Sequence, residues 1–371
     1  MQNIKLANKI RLTMKKTMLI FAIILLLFSC KEKDQNTCTI SGEVIGYENC
    51  TSLLLFKTQQ DPRYLSEKIK LDKNNTFKYT IKEPTDERYS LISEEAFIAG
   101  NGYLVNFFAD NDSIRFQIHS MERLTENKII GSKKSNLLLD FEKEEKNWLD
   151  TDPFGKNDNK DSIMNVFFSN KIDFVLKNQN LVGYSMLIQL FQASQFQSTI
   201  DKSELFQIGD IFKNIYPNHP YTAFIETIKK IKVGNVCPQI QAPDKSGEII
   251  DISAIIKNKK LTLIDLWAPW CSPCIEKGKE MIPVYEKYKD SGFGVIGVVG
   301  GIKNKESYQR AIKSFNFPWE NLIEINNENR IWEKFNIMNS GGATFIIDNT
   351  GIILAINPTI EETEQILNEK L

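Results

Sequence analysis

At 371 residues the chain exceeds one ordinary domain and calls for two or three. Its 42% hydrophobic and 25% charged residues exclude a disordered protein. The formal net charge is −1, but residues 1–29 hold Lys5, Lys9, Arg11, Lys15 and Lys16 and no acid, leaving 41 basic against 47 acidic residues beyond them. That balance, with basic runs no longer than Lys257 to Lys260, argues against a nucleic-acid partner.

The first segment bears on compartment. Met14-Lys15-Lys16 precedes an apolar run from Met18 to Phe28, then Ser29-Cys30. A basic start, a short apolar stretch and a small residue at the cleavage point make a secretory signal over 1–29. The run falls short of the ~20 residues that span a bilayer. Leu27-Phe28-Ser29-Cys30 resembles a bacterial lipobox, which implies cleavage before Cys30 and lipidation of its thiol. The alternative is an uncleaved anchor helix with an incidental cysteine. The implied address is extracytoplasmic, lipid-anchored to a bacterial membrane, with residues 30–36 as lipidated cysteine and tether. Of six cysteines, Cys38, Cys50 and Cys237 lie outside the anchor and the Cys271/Cys274 pair. Three cannot all pair with one another; buried free thiols are favoured over a Cys38–Cys50 bridge.

From Thr37 the texture is that of short strands: Thr37 to Ile45, Ser52 to Lys57, Thr76 to Ile81, Arg88 to Ile92, Tyr103 to Phe108 and Ser113 to Ile118. Turn residues such as Asp72-Lys73-Asn74-Asn75 separate them. The spacing predicts a small antiparallel sandwich or barrel over 37–131. This region resembles the β-rich DUF4369-type domain fused to thioredoxin-like lipoproteins, with Gly131-Ser132 and Asn136 fitting its usual ending. Over 132–232 the apolar spacing turns helical, as in Leu137, Leu138, Phe141 and Trp148, or Ile163, Phe167, Phe168, Ile172 and Val175. A helix is expected to start after Pro220.

From Val233 strands and helices alternate. Leu261 to Trp267 reads as a buried strand, Ser272 to Lys289 as a helix kinked at Pro283, and Phe293 to Val299 as a second strand. Then come a helix over Lys305 to Ser314, strands over Ala343 to Ile347 and Ile352 to Ile356, and a last helix from Glu361 with Thr359 and Glu362 as its capping box. The whole is a multidomain chain: an N-terminal antiparallel β domain, a helical middle segment, and a C-terminal α/β fold over 233–371 with helices on both sheet faces.

The chemistry concentrates in Asp265-Leu266-Trp267-Ala268-Pro269-Trp270-Cys271-Ser272-Pro273-Cys274. A strand ending at Trp267 and a helix starting inside the motif put Cys271 where unpaired N–H groups favour a thiolate. Cys274, three residues on along the same face, can attack a mixed disulfide formed by Cys271. Pro273 falls in the first turn, where a missing N–H costs little.

The run resembles the W-A-x-W-C-x-P-C signature of thioredoxins, and 233–371 resembles the extracytoplasmic TlpA/ResA-type branch, with Gly234, Ala242-Pro243-Asp244 and Gly247 at its opening. The resemblance implies a thiol–disulfide oxidoreductase without a cofactor. Its catalytic residues would be Cys271, Cys274 and Asp265, the last a proton acceptor for Cys274. Trp270, Ser272, Pro273, Gly342 and Ala343 would be active-site neighbours. It also implies protein dithiol or disulfide substrates and an extracytoplasmic thiol electron donor. Two positions depart from the pattern. Lys277 stands where the branch often carries Glu, and Gly342 stands where a cis-proline faces the cysteines, so a different docking groove is expected. Reduction is favoured over oxidation because no histidine lies between the cysteines. The runner-up is a redox-inactive lipoprotein keeping the fold for binding or sensing. A zinc site is weaker, since His119 and His219 lie in other domains. A peroxidase is weaker still, because Ala268 occupies the place of the threonine that peroxiredoxins carry three residues before their reactive cysteine.

Overall fold

A computed structural model describes residues 36–47, 49–100, 102–151, 160–194, 200–337 and 341–371. The expected signal, Cys30 and the tether up to residue 35 lie outside the described residues.

Eight strands build the first unit: β1 (Thr37–Ile45), β2 (Ser52–Lys57), β3 (Glu67–Lys70), β4 (Thr76–Lys82), β5 (Arg88–Ser93), β6 (Val105–Phe108), β7 (Ser113–His119) and β8 (Lys128–Ile130), with a short helix α1 (Glu94–Ala99) after β5. They form two four-stranded sheets, ordered β4-β1-β7-β8 and β3-β2-β5-β6. Ile40, Phe77 and Phe116 of one sheet and Leu55, Leu91 and Phe107 of the other share one core. This is a sandwich, as two one-sided apolar sheets require. The pairing is not wholly antiparallel, however: β1 runs parallel to β7. Between them the chain leaves to build the second sheet, and so re-enters beside β1 in the same direction.

Five helices follow: α2 (Lys133–Leu149), α3 (Lys160–Lys177), α4 (Leu181–Ala193), α5 (Lys202–Ile215) and α6 (Pro220–Lys230). α4 is apolar on every side and is buried at ten positions, so it forms the centre of this layer. The Tyr221 hydroxyl on α6 accepts a 2.7 Å bond from the Arg88 N–H on β5, tying helices to sandwich. His219 caps α6, its Nδ1 accepting from the Tyr221 N–H at 3.2 Å, and His119 is buried at the end of β7. Both imidazoles are therefore structural. No group of three or more metal-ligating side chains occurs among the described residues.

The last unit comprises β9 (Gln241–Pro243), β10 (Ile249–Asp251), α7 (Ile252–Lys257), β11 (Leu261–Trp267), α8 (Ser272–Tyr288), β12 (Phe293–Ile302), α9 (Lys305–Phe315), β13 (Glu320–Ile325), α10 (Ile331–Lys334), β14 (Ala343–Asp348), β15 (Ile353–Ile356) and α11 (Ile360–Lys370). Five strands make a sheet ordered β13-β12-β11-β14-β15. β11 is parallel to β12 and antiparallel to β14. β11 is buried at every residue, as a central strand covered on both faces must be. Its alternation divides two cores: Leu261, Leu263 and Trp267 face α8, α9 and α11, while Ile264 and Leu266 face α7 and α10. Helix α8 continues through Pro283, and the Thr359–Glu362 capping box opens α11 as expected. This architecture is thioredoxin-like. No helix among the described residues is long and apolar enough to cross a membrane.

Candidate active site

β11 ends at Trp267, whose indole is wholly buried and donates through Nε1 to Asn321 Oδ1 at 2.9 Å. A Cβ at Gly297 would stand 2.0 Å from that oxygen, so a glycine there makes room for the bond. With β11 fixed, the chain turns through Ala268-Pro269-Trp270, where the Cys271 N–H donates to the Ala268 carbonyl at 3.0 Å. α8 then begins, with Cys271 as its N-cap.

The structure joins Cys271 and Cys274 in a disulfide, with sulfurs 2.02 Å apart and Cα atoms 5.3 Å apart. Cys271 Sγ also accepts from the Cys274 N–H at 3.3 Å. In the reduced form the same N–H, with the helix dipole behind it, would favour a thiolate on Cys271. Both cysteines are partly buried, while Ser272 and Pro273 lie exposed over them. Cys274 packs against the core beneath α8. One sulfur position is thus fed by helix N–H groups and the other by the interior.

Asp265 completes the arrangement. It lies between Leu263 and Trp267 on β11, so alternation turns it to the face that α8 covers. It is 4% exposed, and burial pushes its carboxyl up to about 7, opposed by the nearby Lys277 ammonium. Lys277 is itself pushed below the usual lysine range by burial, against the pull of Asp265. A carboxyl that titrates near neutrality beneath the cysteine helix is suited to proton exchange.

The loop opposite the cysteines differs from expectation by one residue. A Cβ at Gly341 would stand 2.3 Å from Cys271 Sγ and 3.3 Å from Cys274 Sγ. At Gly342 it would instead meet the Leu266 carbonyl oxygen at 1.7 Å. Gly341 is therefore the glycine against the disulfide, and Gly342 is the one pressed on the end of β11. The chain reaches the sulfurs closely because neither residue has a side chain. No peptide bond among the described residues is cis. Ala343 is buried at the start of β14, paired with Leu266. Gly341→Ala should force the loop off the sulfurs and cost about 1–3 kcal/mol, an overpacking penalty. Thermal melts of the oxidised protein check this, an unchanged Tm counting against the packing.

The other cysteines stand apart. Cys38, Cys50 and Cys237 are free thiols. Burial pushes Cys38 up to about 11 and Cys237 to about 12, so both are inert at neutral pH. Sequence reasoning missed Gly341, and it missed Arg63, whose guanidinium carbon lies 4.3 Å from the centroid of the half-exposed Trp270 ring. A contact between the sandwich and the cysteine motif carries no local sequence signal.

A cysteine pair at a helix N-terminus, above a buried acid on the central strand of a mixed sheet, sets residues 233–371 among the thioredoxin-like domains. Comparison with known proteins agrees: residues 233–356 match the model of the AhpC/TSA family, so this part of the chain is similar to AhpC/TSA-type thioredoxin-like domains. The chain is 25% identical to the thiol-disulfide oxidoreductase ResA of Bacillus cereus over 95 residues, covering 26% of this chain and 51% of that protein. It is also 25% identical to a chloroplastic peroxiredoxin Q of Gentiana triflora over 160 residues, covering 42% and 72%. Among solved structures, the thioredoxin domain of a Bacteroides vulgatus thiol-disulfide oxidoreductase aligns at 22% identity and a TM-score of 0.34, covering 37% of this chain and 96% of that one. The chain thus spans about half the length of the ResA protein it matches.

Proposed function

We propose that this protein is an extracytoplasmic, lipid-anchored thiol–disulfide oxidoreductase that reduces disulfides in client proteins. The observation that carries the reading is the Cys271–Cys274 bond at the N-terminus of α8, above buried Asp265. In the reduced protein the Cys271 thiolate attacks a client sulfur, forming a mixed disulfide and releasing one client thiolate. Cys274 gives its proton to Asp265 and attacks Cys271 Sγ. The client leaves as a dithiol, and the protein carries the disulfide seen here. A donor dithiol then restores Cys271 and Cys274. Reduction is favoured over oxidation because Ser272-Pro273 contains no histidine to stabilise the thiolate further. Dithiothreitol-driven reduction of a protein disulfide, accelerated by catalytic amounts of the chain, tests the reading; no acceleration would refute it.

The anchor rests on Leu27-Phe28-Ser29-Cys30 after the apolar run. Acyl chains on Cys30 would hold the protein at a bacterial membrane, each buried methylene contributing ~0.8 kcal/mol. Residues 37–131 would be the DUF4369-type domain, 132–232 a helical segment and 233–371 the redox domain. Cys30→Ser should lose incorporation of labelled fatty acid, and incorporation equal to the parent's would sink the lipobox. A peroxidase is a second reading, supported by the match to peroxiredoxin Q. Ala268, where such enzymes carry a threonine, weighs against it, and hydrogen peroxide consumption by the reduced protein decides.

A further inference from the structure

Two residues of the wrong polarity for their surroundings face one another beneath the cysteines. The side of α8 that covers the sheet carries Cys274, Gly278 and Met281, the last two buried. Lys277 lies three residues after Cys274 and four before Met281, so it belongs to the same stripe. A Cβ at Gly278 would come within 2.5 Å of the Phe317 ring, and the missing side chain lets α8 settle closely at this turn. Lys277 is half-buried there. With Pro273 and Glu280 it lines one wall of an open groove, whose other wall holds Asn357, Pro358 and Thr359. A lysine at such an edge covers its stem and keeps its ammonium near water.

Asp265 is the misfit on the facing strand. Gly297 of β12 and Thr344 of β14 stand beside it, and neither is charged. The Thr344 hydroxyl is buried without a hydrogen-bond partner among the described residues. Lys277 is the one charge among those residues that acts on Asp265, through space and not by a hydrogen bond. Three acids act on Lys277 in turn: Asp265 most strongly, then Glu362 of α11 and Glu280 of α8. Glu362 already accepts from the Thr359 N–H at 2.8 Å, and Glu280 is exposed. A lysine in an apolar stripe and an acid in a buried strand are each costly alone. Facing one another, each accounts for the other.

We propose that Lys277 is a positioning residue for the resolving step: its ammonium favours the ionised Asp265 carboxylate, the form that takes the Cys274 proton. This deepens the oxidoreductase reading and rests on it for the step that is served. In that step Cys274 gives its proton to Asp265 and its sulfur bonds to Cys271 Sγ. The Cys271–client bond breaks, and its electron pair leaves on the client sulfur. A neutral Asp265 cannot accept the proton, and burial alone favours the neutral form. Lys277 offsets burial and so sets the pH at which the base is available.

The test is a charge series in the full chain: Lys277→Arg, Lys277→Met and Lys277→Glu. Single turnovers of the reduced protein on a peptide disulfide, quenched in acid and weighed, give the decay of the mixed disulfide against pH. Lys277→Met should move the rising limb of that profile up by about one pH unit, the low end for an opposite charge near a carboxylate. At pH 7 the decay should slow about fivefold, following the ionised fraction of Asp265. Lys277→Arg should keep the parent profile, and Lys277→Glu should move it further than Lys277→Met. In an Asp265→Asn background each substitution should change the rate by about twofold or less, which a merely structural lysine would not obey. NMR titration of the Asp265 carboxyl carbon in the oxidised protein requires no exchange chemistry and should rank the variants in the same order. An unmoved limb in Lys277→Met, or equal slowing with Asp265 replaced, would overturn the proposal; Lys277→Gln gives the same reading if Met impairs folding. Absence of turnover in the parent would refute the oxidoreductase reading alone, leaving the NMR titration to decide whether Lys277 governs Asp265.

Discussion

Replacing Cys271 with serine should abolish disulfide exchange, whereas replacing Cys274 should convert the protein into a trap. The asymmetry follows from where the sulfurs sit. Cys271 caps α8 and receives the Cys274 N–H, so its thiolate is the one the helix stabilises. A serine hydroxyl in its place stays protonated and cannot attack a disulfide. Cys274 packs towards the core and is suited to the second, intramolecular attack. Cys274→Ser therefore still forms the mixed disulfide but cannot resolve it, and client adducts on Cys271 should accumulate. Non-reducing electrophoresis with mass spectrometry reads the result. Equal trapping by both variants, or activity surviving in Cys271→Ser, would refute the assignment of roles.

Asp265→Asn should have opposite effects on activity and stability, both dependent on pH. The carboxyl is raised to about 7 by burial, against an ordinary value of 3.8. The folded protein thus holds the proton more tightly than the unfolded chain between these values. The stability contribution of the neutral carboxyl is complete below pH 3.8 and is lost as pH rises through about 7. Each pH unit between folded and unfolded titration corresponds to about 1.4 kcal/mol, so the loss is of the order of a few kcal/mol. Asp265→Asn removes this ionisation. The variant should be more stable than the parent at pH 8, by an amount that vanishes near pH 4, as denaturant titrations at the two pH values would show. Turnover should move the other way. Without a base for the Cys274 proton, the resolving step should slow by about a hundredfold near neutrality. The deficit should narrow towards pH 9, where thiols ionise unaided. A rate indifferent to the substitution from pH 6 to 9 would make Asp265 structural.

Much of the fold was legible because local chemistry and tertiary packing agree. Asp72 bonds the Asn74 and Thr76 N–H groups, so the turn before β4 shows in four polar residues. Thr359 and Glu362 mark the start of α11 in the same way. The elements that escaped are those whose local signal is weak. β3 is Glu-Lys-Ile-Lys, an edge strand with Ile69 alone buried, and charged edges look like loops. β13 carries the buried polar residues Asn321 and Glu324 among its apolar ones, which blurs its strand pattern. The parallel β1–β7 pairing joins strands far apart in the chain, which alternation cannot reveal.

At the site, Cys271, Cys274 and Asp265 were readable from one contiguous motif. Of the two glycines before β14, Gly341 lies nearer the sulfurs and Gly342 against Leu266, a difference that counting back from β14 does not reveal. Lys277 was visible as a departure from the thioredoxin-like pattern. Its electrostatic pairing with Asp265 emerged only when α8 was laid on β11. Arg63 was invisible, since its stacking on Trp270 depends on how the sandwich docks.

The central claim, that Cys271 and Cys274 form an exchanging redox pair, is tested most directly by equilibrium titration with oxidised and reduced dithiothreitol. The redox state is read by alkylating free thiols and weighing the protein. A single two-electron transition, mapping to Cys271 and Cys274 and missing from Cys271→Ser, is the expected result. A pair that stays locked in one state across the range where dithiothreitol poises, or a transition that persists in Cys271→Ser, would contradict it.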